Sequence, residues 1–510
     1  MEMKKTLRII GTALLCYLVM LVLLLAFESK AAGASIRTFW DALYYSLITV
    51  TTVGYGDLFP VTAAGRVLGI LFSVLSIGVF AMLIGMAVRF FTSDIRPYLK
   101  LKGAKKYSWY VFSDDGERER TLAEDLLFKE PDALAIFPSD SKERRHEKRV
   151  LYYDTDPKRL VKIRKKADGI TFFFLTEDSA QNLQEASSCA ALGIRAYCLA
   201  PEISTHGRAL HFVDDAALAG RVYWNRAPLK ERESSIVLVG CAKRGSNILR
   251  EGLLRNVFEA DRTLQYHVFC DTAGFALSHP YLMEDLSGDT DRLFLHEEDW
   301  KTNLGLLREA DRVIFAFDTD HENLCAASYL TQTIGTEAAV HLCMTHAVTG
   351  CETFGTLKEV MTREMVMREE LDRDAKLLHA IYQEKTGEKI PWDELSPFLK
   401  ESNRAAAQHL WIKAAMLLEE DAPEKNAQTL KRAYARYVQL EGWDKVFLHE
   451  AEHRRWMRFY RMYNWTYGEK RDDTRRRHPL IRPFEELDVQ EQEKDAYAWQ
   501  MLDAVSDRID

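Results

Sequence analysis

The sequence has few of the residues that break or cross-link a chain. Among 510 residues there are 13 Pro, 26 Gly and 8 Cys, and no two cysteines are spaced as C-x-x-C. So little Pro and Gly excludes a collagen-like or low-complexity chain. The cysteine spacing indicates neither a zinc site nor a redox pair, so we expect buried thiols in a reducing compartment and no structural metal.

The motifs of two common enzyme classes are also missing. The chain has no G-K-[ST] phosphate loop and no G-x-S-x-G nucleophile motif. The spacing of its acidic and basic residues places no acid/base pair in a pocket. We therefore predict no catalytic residues and a protein that is not an enzyme.

The net charge of −8 is unevenly distributed along the chain. Residues 1–97 contain 8 Lys/Arg and 5 Asp/Glu, which leaves 60 and 71 for the other 413 residues. This first part holds uncharged runs of 19 and 22 residues, at 9–27 and 67–88. Each is close to the roughly 20 residues of a membrane-spanning helix, so we predict two spans. A signal peptide, the alternative for the first run, has a shorter apolar segment of about 7–15 residues.

The link between the two runs has its own pattern. Basic residues precede the first run and follow the second, so the positive-inside rule predicts cytoplasmic termini and a link on the outside. Residues 38–50 of the link are aromatic and apolar but too few to cross, which predicts a re-entrant helix. Non-helical backbone after such a helix is tolerated only where it is buried in protein or lines a watery path. The segment therefore predicts a pore.

The residues after the re-entrant helix carry a family signature. They resemble the T-V-G-Y-G sequence of the potassium-channel family, and an extracellular glycine-rich turn is the alternative. The resemblance implies a K⁺ selectivity filter whose backbone carbonyls replace the water around the ion. Thr51 and Asp57 would support the filter, which consists of Thr52, Val53, Gly54, Tyr55 and Gly56.

The same resemblance implies how the pore is assembled and opened. One chain supplies only two spans, so a closed ring of carbonyls requires a homotetramer. No further span carries arginines at every third position, which argues against voltage sensing. Glycine hinges bend the second span in this family, and here the hinge would lie at Ser76, Gly78 or Gly85.

From residue 107 the sequence alternates short apolar runs with helical stretches, which predicts doubly wound α/β domains. The first set of predicted strands covers 107–112, 133–137, 150–153, 170–175, 194–199, 210–213 and 222–224. The second set covers 235–239, 266–270, 292–295, 313–317 and 339–343. Both sets resemble the N-terminal Rossmann-like lobes of regulator-of-K⁺-conductance and TrkA domains.

The second α/β domain has a glycine-containing turn after its first strand. The series runs from Gly240 through Lys243 to Gly245, and Asp271 ends the next predicted strand. This arrangement favours a nucleotide, with phosphate at the helix N-terminus and the acid at a ribose, although Ala242 replaces the middle glycine. A tight structural turn is the alternative. The matching turn of the first domain is acidic and predicts no nucleotide.

Beyond residue 354 the pattern becomes helical, with helices predicted at 356–383, 397–420 and 431–440. Residues 454–482 then combine 10 Lys/Arg and 6 aromatic residues with 3 acids. Residues 445–503 resemble the ryanodine-receptor repeat domain, and residues 402–409 resemble the helical segment that precedes this domain in bacterial proteins. Guanidinium and imidazole groups bind phosphates and aromatic rings stack on bases, so we predict a nucleotide-like ligand at a set of seven residues. These are His453, Arg455, Trp456, Trp465, Tyr467, Arg475 and His478.

Other interpretations of this C-terminal region stay open. The tryptophans can be core residues and the arginines a solvated face, or the region can dock a protein partner. Nucleic acid is not expected, because the basic stretch is short and the chain is acidic.

Together these features predict a membrane α-helical pore, with two spans and a re-entrant pore helix, followed by α/β doubly wound domains and a C-terminal all-α domain. The expected function is a ligand-gated, K⁺-selective channel in a bacterial inner or plasma membrane. Its ligand would be a nucleotide, with a cyclic dinucleotide as one candidate, and could open or close the pore. A membrane-anchored nucleotide-dependent enzyme is the alternative. The expected domains are 1–97, 98–106 (linker), 107–230, 234–352, 353–440 and 441–510.

Overall fold

The computed structural model describes residues 2–91, 95–139, 148–201, 209–240, 243–259, 262–270, 273–287, 290–387 and 389–509. Side chains at 2–11, 13, 14, 75–80, 82, 83, 89, 90 and 273 also lie outside the description. Contacts divide the chain into two compact units, Met1–Lys105 and Lys106–Asp510.

Over its described residues, the first unit contains the helices α1 (Glu2–Glu28), α2 (Phe39–Val50), α3 (Ala63–Phe90) and α4 (Arg96–Gly103). Thr38 caps α2 in a capping box with Asp41, which fixes where this helix begins. Glu28 is fully buried and accepts hydrogen bonds from the backbone N–H groups of Val61 and Thr62, each at 2.9 Å. The end of α1 is thereby joined to the start of α3.

The two predicted spans fall within α1 and α3. Over the described residues, no helix contains a stretch of 18 residues that is apolar enough to count as a membrane span. The side chains of Ser76 and Gly78, two of the predicted hinge residues, lie outside the described residues. The two spans and the hinge therefore stay predictions.

The second unit begins with an α/β domain whose six strands are all parallel, in the order β3-β2-β1-β4-β5-β6. The central strands of this sheet, β1, β2 and β4, are almost entirely buried aromatic and aliphatic residues, as expected for a sheet covered by helices on both faces. Its elements are β1 (Ser108–Phe112), α5 (Glu117–Lys129), β2 (Ala133–Pro138), β3 (Val150–Tyr153), α6 (Pro157–Arg164), β4 (Ile170–Phe174), α7 (Ser179–Ala191), β5 (Arg195–Leu199), β6 (Leu210–Val213) and α8 (Asp215–Arg226).

A second α/β domain follows with the same relative strand order, β12-β11-β10-β7-β8-β9. The two parallel sheets confirm the predicted Rossmann-like class, in which the strand order reverses beside the first strand. The elements are β7 (Ser235–Val239), α9 (Lys243–Arg255), β8 (Gln265–Phe269), α10 (Ala273–Ser278), α11 (Pro280–Asp285), β9 (Arg292–His296), α12 (Leu304–Glu309), β10 (Arg312–Phe315), α13 (Asp320–Tyr329), β11 (Ala339–Cys343) and β12 (Glu352–Phe354).

The two α/β domains pack together through α8 and α9. A Cβ at Gly220 would lie 3.1 Å from the backbone of Asn247, and one at Gly252 would lie 2.7 Å from the ring of Trp224. The indole N–H of Trp224 donates to the carbonyl of Ile248 at 2.8 Å. Glycine at these two positions lets the helices approach closely.

The helical C-terminus, predicted from the sequence, is also present. It comprises α14 (Leu357–Val360), α15 (Arg363–Val366), α16 (Arg373–Thr386), α17 (Pro397–Leu418), α18 (Ala427–Gln439), α19 (Trp443–Met462) and α20 (Val489–Ser506), with a two-strand pair of β13 (Thr466–Tyr467) and β14 (Arg477–His478). Helix α17 runs through the middle of this region and contacts both α9 and α20.

Three local predictions are wrong. Residues 222–224 lie near the end of α8 and do not form a strand, because Tyr223 and Trp224 belong to the buried face of that helix, together with Ala219. Residues 352–354 form β12, an edge strand that was not predicted. The single helix expected at 356–383 is divided into α14, α15 and α16.

The expectation of buried, reduced cysteines is also only partly correct. Cys16, Cys325 and Cys351 are exposed, and Cys270 is disulfide-bonded. Cys189 is buried as expected, and burial raises the pKa of its thiol to about 12, which makes it unreactive at neutral pH.

Candidate functional site

The predicted filter follows the C-terminus of α2 without a break. The backbone N–H groups of Val53 and Gly54 both donate to the carbonyl of Ile48, at 2.9 and 3.2 Å. The hydroxyl of Thr51 donates to the carbonyl of Leu47 at 2.7 Å. The segment therefore starts at the carbonyl end of a helix, where the partial negative charge favours a cation.

The backbone of the filter segment alternates in handedness. Thr52, Gly54 and Gly56 have positive φ angles of 59°, 57° and 75°. Glycine adopts this conformation without strain, whereas a β-branched residue such as Thr52 does so only where its surroundings impose it. Because every second residue is left-handed, successive peptide planes rotate, which lets neighbouring carbonyls point the same way. Residues 51–57 are all exposed in the single chain.

Side chains on both sides hold this segment in place. The hydroxyl of Tyr44 in α2 donates to the carboxylate of Asp57 at 3.0 Å. The backbone N–H of Phe59 donates to the hydroxyl of Ser35 at 2.9 Å, and that hydroxyl donates to the carbonyl of Phe59 at 2.8 Å. Gly85, the described member of the predicted hinge set, has open space around its Cα.

In the C-terminal module, residues 441–510, three predicted ligand residues share one aromatic cluster. Trp456, Trp465 and His478 pack around Tyr460, with ring centroids 4.3, 5.0 and 5.5 Å from its ring. Burial, with the charge of Arg471, lowers the pKa of His478 to about 4. His478 is therefore neutral near pH 7 and brings no positive charge to a phosphate.

Two further residues of the predicted set are buried and already bonded. The guanidinium of Arg455 contacts the carboxylate of Glu452 at 2.7 and 3.1 Å. One imidazole nitrogen of His453 lies 2.9 Å from the carbonyl of Arg482, and the other lies 3.4 Å from Asp495. Both side chains thus stabilise the module from within.

The last two residues of the predicted set lie at the surface. Tyr467 is 52% exposed, and the side chain of Arg475 is 74% exposed and 3.9 Å from Asp472. Each is within reach of a molecule in solution.

Helix α17 supplies residues that the sequence reasoning did not include. Phe398 stacks on Trp465 at 5.7 Å, so the aromatic cluster continues outside the module. Lys413 is buried and lies 2.8 Å from the carboxylate of Glu452. His409 is fully buried and lies 2.7 Å from the carbonyl of Val257. The sequence signal that could have linked α17 to the module is the resemblance of residues 402–409 to the helix that precedes this module in other proteins.

The glycine turn of the second α/β domain is tightly packed. Gly240 has φ +94°, and a Cβ there would lie 2.7 Å from the backbone of Ala316. A Cβ at Gly245 would lie 2.1 Å from the carbonyl oxygen of Gly240. Lys243 lies 3.5 Å from Asp214, so its charge is partly neutralised, and Asp271 lies outside the described residues. The glycines therefore have a packing role whether or not a nucleotide binds.

Comparisons with known proteins match the two ends of the chain. Residues 11–93 match the family described as ion channel, and residues 445–506 match the RyR domain. A voltage-gated potassium channel of Aeropyrum pernix is 39% identical over 64 residues, which cover 12% of this chain and 22% of that protein. The two pore potassium channel a of Oryza sativa subsp. japonica is 34% identical over 99 residues, 19% of this chain and 26% of that protein.

The matched part is thus a fifth to a quarter of these relatives' own length. Among solved structures, the GsuK channel is 13% identical with a TM-score of 0.35, over 71% of this chain and 99% of that one. A GsuK structure bound to ADP is 14% identical with a TM-score of 0.30, over 66% of this chain and 89% of that one. The similarities confirm the resemblance predicted from the filter and the C-terminal residues: residues 11–93 are similar to potassium channels, which are not enzymes, and residues 445–506 are similar to RyR domains.

Proposed function

We propose that the protein is a K⁺-selective channel in which four copies arrange their filter segments around one axis. The observation that carries this proposal is the alternating backbone at Thr52, Gly54 and Gly56, exposed at the carbonyl end of α2. A ring of such carbonyls replaces the hydration shell of a K⁺ ion. Exposure of the segment in one chain is what a site completed by other copies requires. The membrane spans of this pore would be α1 and α3, with both termini cytoplasmic.

The test compares two glycines that share the same local conditions. Gly54 and Gly33 both have positive φ, and neither has an atom within 4 Å of a Cβ built on it. Gly54→Ala therefore changes the filter backbone, whereas Gly33→Ala imposes the same strain outside the filter. With purified protein in liposomes, we expect wild type and Gly33→Ala to pass K⁺ and exclude Na⁺. Gly54→Ala should lose flux or selectivity. Equal flux in all three proteins, or none in wild type, would refute the pore.

We further propose that the second unit senses a nucleotide-like ligand at the C-terminal module. Trp465 supports this assignment: it is 4% exposed, and over the described residues its indole N–H has no hydrogen-bond partner. A buried donor without an acceptor is costly, and a ligand can supply the acceptor. Tyr467 and Arg475, the exposed members of the predicted set, would stack on a base and bind a phosphate.

The energy that gating requires is modest. Inverting a closed-to-open ratio of 99:1 takes about 5.5 kcal/mol of differential binding, or about 1.4 kcal/mol from each of four copies. That is about a tenfold preference for one arrangement at each site. A ligand that prefers the open arrangement opens the pore, and one that prefers the closed arrangement closes it.

The sensor is tested with a nucleotide panel, including cyclic dinucleotides, added at the cytoplasmic face during K⁺ flux. We expect one nucleotide to change the flux in wild type, and its effect to weaken in Arg475→Ala and Tyr467→Ala. Arg436→Ala, at an exposed position of α18, is the matched control and should respond as wild type does. Unchanged responses in all variants would refute the site and leave the pore intact. Nucleotide turnover would instead indicate the enzyme alternative.

A further inference from the structure

A cavity of about 490 Å³ lies between the two α/β domains, where the strand order of each sheet reverses. Its walls come from the loops after β1, β4 and β10 and from the starts of α8 and α9. Open α/β sheets bind ligands at this reversal, outside the carboxyl ends of the strands. Two such positions share one cavity here, which we call the interdomain cavity.

The interdomain cavity is strongly acidic. Among the described residues, seven carboxylates and three cationic side chains line it. All three cations are already paired: Arg118 lies 2.6 Å from Glu177, and Lys243 and Arg244 lie 3.5 and 3.8 Å from Asp214 and Asp215. The described lining of the cavity therefore has no free positive charge to offer a phosphate.

Three of the carboxylates, at Asp114, Glu119 and Asp318, form no ion pair within 4.0 Å in the part of the chain that the structure describes. Glu119 is the most unusual of them. It is 2% exposed, and its Oε1 is buried without a hydrogen-bond partner. Burial raises the pKa of Glu119, and the charges of Asp114 and Asp115 act in the same direction, whereas its own backbone N–H and the charge of Arg118 lower it. A buried carboxylate oxygen with no hydrogen-bond partner is costly, and a bound cation would offset that cost.

The arrangement does not suit a metal ion. Over the described residues, no group of three or more His, Cys, Asp or Glu side chains is placed to hold one. Of these carboxylates, Asp114 and Glu119 belong to the first domain and Asp318 to the second. The lining also includes apolar side chains, Leu175, Phe317 and Leu357. A cavity that combines carboxylates of two domains with apolar lining is complementary to an aliphatic chain that carries separated ammonium groups.

We propose that the interdomain cavity binds an aliphatic oligoamine, with one ammonium group at Asp114 and Glu119 and another at Asp318. The bound molecule would join the two α/β domains. This inference is independent of the proposed channel function, because binding is measured without ion transport.

The test is calorimetric titration of the purified full-length protein in detergent with spermidine as the probe. We expect saturable binding to wild type. Glu119→Gln and Asp318→Asn should each weaken it by about tenfold or more, since each removes a charge-assisted contact. Glu309→Gln, an exposed position on α12, is the control and should bind as wild type does. Asp318 is itself exposed, so its variant keeps the test valid if Glu119→Gln misfolds.

The same titration with other probes identifies competing occupants. Mg²⁺ that binds and displaces spermidine would overturn the proposal in favour of a metal site. ATP binding that weakens in the Lys243→Ala variant would overturn it in favour of a nucleotide. Absence of saturable spermidine binding, or equal affinities in wild type and both carboxylate variants, would refute it. K⁺ flux in liposomes is scored separately, so failure here leaves the proposed channel function untouched.

Discussion

Asp372 is the centre of a chain of ion pairs that joins the domains of the second unit. Its two carboxylate oxygens each lie 2.6 Å from a guanidinium nitrogen, one of Arg221 in α8 and one of Arg404 in α17. Arg404 pairs with Glu401 at 2.7 Å, and Glu401 pairs with Arg250 of α9 at 2.8 Å. The chain of pairs therefore runs from the first α/β domain through the helical region to the second.

We predict that Asp372→Asn strongly destabilises this junction. Asp372 is 2% exposed and Arg221 is 8% exposed, so an amide would leave two guanidiniums near a buried neutral group. Removing one partner of a buried ion pair costs about 3–5 kcal/mol. Glu370→Gln, two residues away, is the matched control: its pair with Arg373 spans 3.4 Å between side chains that are 46% and 59% exposed. Such surface pairs contribute about 0–1 kcal/mol.

The same carboxylate predicts a dependence on pH. Burial alone would raise the pKa of Asp372, but the charges of Arg221 and Arg404 hold it far below its ordinary value. A carboxyl group whose pKa falls on folding stabilises the fold above its unfolded pKa of about 4. That stability is lost as the pH falls through the lower folded pKa. We expect this loss below about pH 4 in wild type, and a smaller loss in Asp372→Asn.

Amide hydrogen exchange of the full-length protein measures the effect directly, because it reports local opening free energies in α8 and α17. At pH 7, Asp372→Asn should lower these energies by about 3–5 kcal/mol or to the limit of global unfolding. Urea unfolding followed by tryptophan fluorescence measures the pH dependence. If Asp372→Asn and Glu370→Gln give the same protection, the chain of ion pairs does not hold the domains together and the reasoning fails.

Two further predictions concern the second α/β domain. Gly245→Ala should lower the free energy of unfolding of this domain by about 1–3 kcal/mol, because the new Cβ meets the carbonyl of Gly240. Gly274→Ala is the control: a Cβ at Gly274 has open space around it, so the free energy of unfolding should change little. Urea midpoints compare the two, and equal values would contradict the clash. His346 hydrogen-bonds Glu117 across the two α/β domains at 2.7 Å, which raises its pKa. This contact is fully present below the unfolded pKa of about 6.5 and is lost as the pH rises through the folded pKa. Amide hydrogen exchange at residues 344–350, corrected for the intrinsic exchange rate at each pH, should therefore be faster at pH 8 than at pH 6. The His346→Gln variant should show no such change.

Local patterns in the sequence predicted most of the α/β fold. Strands β3, β6, β7 and β11 begin and end where the apolar runs do, since a buried parallel strand is a short continuous apolar segment. The prediction of a strand at 222–224 was wrong because tertiary packing can override such a local pattern. Valine, tyrosine and tryptophan favour strands in isolation, but here they continue α8, whose buried face packs against α9. Tertiary packing outweighed local preference.

The candidate sites differ in how much of them the sequence revealed. The filter is a contiguous segment, so its residues and their order were predictable, and the structure adds the alternating φ angles. The aromatic cluster takes Phe398 from α17, at least 58 residues before its other members. The interdomain cavity is assembled from loops that are more than 200 residues apart. Only the fold brings these residues together, so local spacing contained no signal for them.

The free energies of the buried ion pairs and of ligand binding together limit how the second unit can transmit a ligand signal. In addition to the pairs around Asp372, α19 is joined to the second α/β domain by Arg458, which lies 2.7 Å from Asp291, both of them buried. Breaking such a pair costs about 3–5 kcal/mol, whereas each of four ligands needs to contribute only about 1.4 kcal/mol to invert the proposed gate. A ligand of that strength cannot open these junctions. The proposed gating therefore requires the second unit to respond with its buried ion pairs intact.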